Sequence, residues 1–428
     1  MGYGSIVILL YYVISISFMF FLYNRYKVCP ELLWCGMQLL MFFGITRCMN
    51  INLQSDIQLI SLYLIGLLSF IISNVVFRLV KPPNKTVDVH SNLDNYKSRK
   101  FYLYSMIIIC VLLSLYFFAK GGGNVFLNSL KAMISGKDYS AKYSRMGLLS
   151  VSGVGYIYQL RVIVLPLCVL YYTMINKKKI TTILLNVIMI IFLIGTGQRG
   201  GLVSFIAIAL LTVYYWFNYK KEKGVVEKKP IKKFKIYISI ILIAGILFSL
   251  STVMNLRVSE NGTIFSAISQ RFLEDNQTSA LIGFRYIKMQ NIQHGRDWLN
   301  QLVDILPGKN DYITLDTRIF AFLYGGSMDG TSPPCIWGSA YYNFGVYGVI
   351  IMGIITSYIA AKIHYIFSRK DCDELEIIVY SSLQFLLAFW VVSGPVTLFN
   401  SGFITVIILY FILKFALRHR IVFKRGGN

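Results

Sequence analysis

Arginines set the chemistry this chain can offer. Arg257, Arg271, Arg285, Arg296 and Arg318 fall within one long polar segment, residues 255–336, and Arg199 sits in the run Gly195-Thr-Gly-Gln-Arg-Gly-Gly201. A guanidinium presents a planar fork that meets two oxygens of a phosphate or carboxylate at once, whereas an ammonium supplies charge alone. The basic residues of the segment 219–235 are all lysine, so that segment reads as a solvated, membrane-apposed run. Two-point recognition of an anion is therefore expected in 255–336 and at Arg199. The competing use of these arginines is internal pairing with Glu260, Glu274, Asp275, Asp297, Asp304, Asp311, Asp316 and Asp329. The run around Arg199 formally matches G-x-G-x-x-G. No strand precedes it and it joins two apolar stretches, which excludes a dinucleotide fingerprint. Its glycines permit a tight reversal and the close approach of another group, so an arginine on this turn can meet a lipid phosphate.

Positioning these residues is the task of an apolar scaffold. The chain has 428 residues, 56% hydrophobic and only 14% charged, with a mean hydropathy of +0.60. A soluble domain carries about 25% charged residues, so soluble globular, disordered and collagen-like classes are excluded. Eleven stretches are long and apolar enough to span a bilayer: 4–23, 30–46, 57–80, 101–119, 153–175, 180–197, 200–218, 236–254, 337–367, 377–393 and 396–416. The expectation is one integral membrane domain over 1–428, all α-helical and polytopic.

The net charge of +23 follows from 42 Lys and Arg against 19 Asp and Glu. In a soluble chain it would suggest nucleic acid; here it sorts by side. With the C-terminus cytoplasmic, most basic residues fall in cytoplasmic segments, among them Arg25, Lys27, Arg78, Lys81, Lys177 to Lys179, the 219–235 lysines, Arg369 and Lys370. An odd span count places the N-terminus outside, and residues 1–23 lack the basic start of a cleaved signal peptide. Seven scattered cysteines form no Cys-x-x-Cys pair, and only four histidines occur, so neither a disulfide framework nor a metal centre is expected.

Two outer segments remain, 120–152 and 255–336. Phe126, Leu127, Leu130, Met133 and Ile134 share a helical face in the first. Ile264, Ile268 and Phe272, then Trp298, Leu302 and Leu306, do so in the second. Such helices suit the outer interface, and long structured loops often carry function. Arg161, inside the fifth span, costs roughly 2.5–3.5 kcal/mol if it lies at mid-membrane, so it is expected to face the bundle interior or an aqueous cavity, or to snorkel outward.

Three stretches give the chain a family likeness. They are Gly195-Thr-Gly-Gln-Arg-Gly-Gly-Leu202; Ser269-Gln-Arg-Phe272 with Leu281-Ile-Gly-Phe-Arg285; and Ile305-Leu-Pro-Gly308 running through Tyr324-Gly-Gly-Ser327 and Thr331-Ser-Pro-Pro334 to Tyr341-Tyr-Asn-Phe-Gly-Val-Tyr-Gly348. With the many-span, two-loop layout, the chain resembles the Wzy-like O-antigen polymerases, the oligosaccharide repeat unit polymerases of bacterial surface polysaccharide synthesis. The resemblance implies a GT-C-like membrane glycosyltransferase in the bacterial inner membrane, with a large helical periplasmic loop. Such an enzyme transfers a glycan from undecaprenyl diphosphate to a lipid-linked repeat unit, without nucleotide sugar, metal or other cofactor. Its partners would be the lipid-linked oligosaccharide, membrane lipid, a chain-length regulator and a flippase, and no nucleic acid. The arginine-x10-glycine repeats of some members are absent, since Arg271 to Gly283, Arg296 to Gly308 and Arg318 to Gly330 are each one residue longer.

The implied reaction builds charge on a departing lipid diphosphate, which fixed cations stabilise most in the transition state. Arg199, Arg271, Arg285 and Arg318, then Arg257, are the diphosphate-binding candidates. A proton acceptor for the attacking hydroxyl is sought in His294, Asp316 or Asp275. Tyr341, Tyr342 and Asn343 are the sugar-site candidates. Two other activities compete: the O-antigen ligase of the same superfamily, and a lipid-linked oligosaccharide flippase, against which the long 255–336 segment argues.

Overall fold

In a computed structural model, residues 3–84, 96–135, 153–175, 179–196, 200–222, 274–306, 312–328 and 330–418 are described, with Val87, Leu148 and Val151 between them. Among these the chain is all helical. Six helices are long and apolar enough to cross a membrane: Tyr3–Tyr26, Gln54–Val80, Phe101–Lys120, Val154–Ile175, Cys335–Ser368 and Glu374–Val392. Ile180–Ile194, Gly200–Trp216 and Phe403–Phe415 are apolar but shorter. The expected span 30–46 is the helix Pro30–Cys48, started by a proline whose missing N–H has no partner to lose there. The expected span 236–254 and the 219–235 lysine run (beyond Glu222) lie outside the described residues, as do Arg199, Arg257 and Arg271. The stretch 396–416 is not continuous. A four-residue helix, Thr397–Asn400, stops short of Gly402, whose φ of +91° breaks the run before Phe403–Arg418 begins.

The chain divides into two compact units. The first takes Met1–Thr86, Phe265–Lys370 and Leu383–Ser401; the second takes Val87–Ile264, Asp371–Ser382 and Gly402–Asn428.

The first unit is built on an aromatic core. Trp34 stacks on Phe70 at 4.1 Å, and Tyr11 on Phe42 at 3.7 Å. Trp337 meets Trp34 edge-on and donates its indole N–H to Gln38 at 3.1 Å. Small residues make the closest helix approach: a Cβ on Gly66 would lie 2.6 Å from the Trp337 ring, and one on Gly353 would lie 2.8 Å from the Gly66 carbonyl oxygen. Three short helices of the 255–336 segment belong here: Asn276–Lys288, Arg296–Val303 and Leu315–Leu323. Thr314 caps the last of them by accepting the Thr317 N–H.

The long helix Cys335–Ser368 is kinked. Phe344 and Gly345 leave helical geometry, Gly345 at φ +63°, ψ −150°, a region open essentially to glycine. The carbonyls just before the break find new donors: Tyr342 accepts from the Gln293 N–H and Asn343 from the Gly295 N–H. The kink thus fastens the 290–295 turn to the helix.

In the second unit, Val154–Ile175 carries a π-turn at Leu160–Val164. Arg161 lies on that turn, 1% exposed, and donates to the Phe192 carbonyl near the C-terminal end of Lys179–Ile194. A cation there meets the negative end of the helix dipole. Phe117, Phe118 and Tyr158 surround the guanidinium at 5.7–5.8 Å. Arg161 therefore faces the interior of its unit, one of the placements expected for it. The 120–152 segment contributes the helix Val125–Ser135, capped by Asn124.

Candidate functional site

The chemistry-bearing residues of the first unit gather where Gln54–Val80 begins and where Cys335–Ser368 approaches its kink. Asp56, in the first turn of the former, is 1% exposed and accepts both Nε (2.9 Å) and Nη2 (2.7 Å) of Arg285. The Asn50 N–H adds a further bond to it. Arg285 is thus committed to an acid, with a side chain 31% exposed. Its pKa is raised by that hydrogen-bonded pairing.

One turn further along Asn276–Lys288, Lys288 is exposed and donates to the Tyr341 hydroxyl at 3.3 Å. Gln58 approaches the same hydroxyl at 3.4 Å. The adjacent Tyr342 hydroxyl accepts from Arg318 Nη1 at 3.2 Å. Two consecutive tyrosines of the long helix therefore hold two cations from different short helices. Tyr342 packs with Ile287, Leu315 and Ile319, the apolar cluster that joins those helices to the long one.

Arg318 is fixed on two more sides. Its Nε donates to the Ile313 carbonyl at 2.8 Å, and its guanidinium lies 4.9 Å from the centre of the Tyr312 ring. The Tyr312 hydroxyl donates to Asp297 at 2.9 Å, and Gln301 donates to the other Asp297 oxygen at 2.8 Å. Asp297 is fully buried, which pushes its pKa up against the opposing pull of Tyr312 and Arg318. Burial and the Asp297 carboxylate push the Tyr312 phenol up to about 12.

Asp316, half-buried in the first turn of Leu315–Leu323, accepts the Ser393 hydroxyl at 3.1 and 3.2 Å. Loss of solvent raises its carboxyl to about 7; the Ser393 hydrogen bond works against the shift and the charge of Asp297 adds to it. A carboxyl poised there exchanges a proton at neutral pH. No group of three or more His, Cys, Asp or Glu among the described residues is arranged to hold a metal ion.

No family model, no curated protein and no solved structure matches this chain.

Of the sequence candidates, the structure joins Arg318 to Tyr342, while Tyr341 bonds Lys288 and Asp316 bonds Ser393. Tyr342 is 1% exposed, so it anchors Arg318 from within the packing and does not face a sugar. Asn343 is fully buried and spends its amide inside the protein, donating to the Ser339 carbonyl and accepting the Trp298 N–H. Its place is behind the site, as the clamp that starts Arg296–Val303. His294 is exposed on the turn before that helix at φ +50°, and Asp275 is exposed at the start of Asn276–Lys288. No hydrogen bond or ion pair ties either to Asp316 or Arg318. Asp56, Lys288, Asp297, Tyr312 and Ser393 are the residues that sequence reasoning missed. Only Asp297 carried a signal, as an acid within the arginine-bearing segment.

Proposed function

We propose that the chain is a membrane glycosyltransferase of surface polysaccharide synthesis. As a polymerase it would move a glycan from undecaprenyl diphosphate onto a lipid-linked repeat unit at the periplasmic face of a bacterial inner membrane. In this reading the chain spans the membrane about eleven times in a GT-C-like arrangement, with its N-terminus periplasmic and its C-terminus cytoplasmic. The observation that carries the reading is one short helix, Leu315–Leu323, bearing both a carboxyl raised to about 7, Asp316, and a cation, Arg318, that among the described residues is held by a tyrosine hydroxyl and a carbonyl and not by an acid.

The chemistry follows from those two groups. The acceptor hydroxyl oxygen bonds to the anomeric carbon while Asp316 takes its proton. The bond from that carbon to the diphosphate oxygen breaks, and the electron pair leaves with the lipid diphosphate. Arg318 and Lys288 meet the charge that grows on that leaving group. Stabilisation is greatest in the transition state, because the charge is largest there. Arg199, Arg257 and Arg271 are further diphosphate ligands in this proposal. Arg285, with its fork on Asp56, contributes by holding its helix. Half-buried Tyr341 offers a ring face to sugar, fully buried Tyr342 holds Arg318, and the lipid-linked oligosaccharide is the one partner the chemistry requires.

Deletion of the gene and inspection of surface polysaccharide on a silver-stained gel tests the reading. Lipid A core capped by a single repeat is the expected outcome. Loss of all capped core would instead mark a ligase, and lipid-linked oligosaccharide retained in the cytoplasm would mark a flippase.

A further inference from the structure

We propose that Asp297 is a positioning residue for Arg318, acting through Tyr312, and that this chain of contacts turns one amino group of the guanidinium toward an anionic ligand. The proposal rests on the reading of Arg318 as a residue that meets a diphosphate.

A fully buried carboxylate is costly unless its oxygens are bonded. Asp297 is bonded on both, by Tyr312 and by Gln301. It lies in the first turn of Arg296–Val303, where the helix dipole favours negative charge. That turn is itself fixed: Gly295, at φ +84°, donates to the Asn343 carbonyl, and the Asn343 side chain accepts the Trp298 N–H. The Trp298 indole donates to Ser339 at 2.9 Å, one turn before Asn343 on the long helix. Asp297 is therefore a fixed point rather than a mobile counter-ion.

From there the contacts run outward. Tyr312 joins the carboxylate through its hydroxyl and Arg318 through its ring face. Donation to a carboxylate enriches the phenol ring, and an enriched face draws a cation more strongly. Arg318 is then held at Nε by Ile313 and at Nη1 by Tyr342. Among the described residues its Nη2 makes no hydrogen bond, and no acid lies within 4.0 Å to form an ion pair with it. An acid in direct contact would have quenched the charge. Placed one ring away, Asp297 orients the guanidinium and leaves its charge available to a ligand.

The test uses the full-length chain purified in detergent, with inorganic pyrophosphate as the probe and titration calorimetry as the readout. Tyr312→Phe keeps the ring and removes the hydroxyl that links it to Asp297. It is expected to weaken pyrophosphate binding about tenfold, a mid-range coupling for one hydrogen-bonded network. Asp297→Asn is expected to match it, and each variant's unliganded thermal midpoint separates lost fold from lost aim. In an Arg318→Ala background, Tyr312→Phe is expected to add nothing, since its effect passes through the guanidinium. Wild-type affinity in Tyr312→Phe, the same tenfold loss in both backgrounds, or no pyrophosphate binding by the unaltered chain each overturns the proposal. Failure of the glycosyltransferase reading is seen separately, as full-length polymer in cells that lack the chain.

Discussion

The helix Gln54–Val80 carries a buried charge at each end, and the two ends are satisfied differently. At its last turn, Arg78 lies 2.6 Å from Glu31, with side chains 6% and 0% exposed. The guanidinium stacks 3.6 Å from the centre of the Tyr26 ring, and Asn74 approaches Glu31 at 3.4 Å. At its first turn, Asp56 takes the fork of Arg285, and the cations beyond it, Lys288 and Arg318, rest on the hydroxyls of Tyr341 and Tyr342. An acid neutralises the cation it holds. A neutral hydroxyl orients the cation and leaves its charge in place. The Arg78 end is therefore part of the packing, and the Asp56 end presents two cations that no acid among the described residues pairs.

The largest expected effect tests the site end. Asp316→Asn is expected to lower the transfer rate by about 10²–10⁴-fold, the usual contribution of a positioned proton acceptor. Wild-type transfer is expected to rise through about pH 7 as Asp316 loses its proton, and the variant is expected to lack that limb. Stability runs the other way. The folded carboxyl holds its proton more tightly than an unfolded aspartate, whose pKa is about 3.9. The stability it contributes is thus fully present below about pH 4 and is lost as pH rises toward 7. Thermal midpoints across that range check the sign. A midpoint unchanged between the two pH values, or the same slope in Asp316→Asn, breaks the assignment.

The packing end is expected to respond in stability alone. Glu31→Ala strands Arg78 among Tyr26, Cys29 and Asn74, at a cost of about 3–5 kcal/mol. Replacing both partners, Glu31→Leu with Arg78→Met, is expected to recover most of that loss, because neither charge then remains to be desolvated. Transfer per folded molecule stays at the wild-type level in both. Loss of activity without loss of fold would erase the distinction between the two ends.

Sequence reading reached parts of this arrangement and not others. Apolar runs located the long helices, because length and hydropathy alone decide whether a helix can cross a bilayer. They missed the break at Gly402, since a glycine within an apolar stretch does not announce a positive φ. The contrast of arginine with lysine pointed to the segment that holds Arg318. It did not separate Arg318 from Arg285, whose partner Asp56 lies 229 residues away in a different segment. The choice among His294, Asp316 and Asp275 was equally open, because desolvation at Asp316 and exposure of the other two are properties of packing. Lys288 lies in the same segment, and its bond to Tyr341 depends on which faces of two helices meet. The kink at Phe344–Gly345 was hidden for a similar reason: its support comes from the N–H groups of Gln293 and Gly295, brought to it by tertiary structure.

Lys288 provides the smallest and finest test. It is exposed, and its ammonium is strongly hydrated, so its attraction for an anion is weaker than that of the half-buried Arg318. Lys288→Met keeps most of the apolar stem and removes the charge. It is expected to weaken pyrophosphate binding by about fivefold, roughly 1 kcal/mol, at low salt. Above about 0.5 M salt the difference between variant and wild type should nearly vanish, since the Debye length then falls well below 10 Å. Arg318→Ala should keep most of its effect under the same salt, because its guanidinium is held between a ring and a hydroxyl and is less open to screening. If both variants lose their effect in parallel as salt rises, the tyrosine-held arginine is an ordinary surface charge, and the difference between the two ends of the helix reduces to exposure alone.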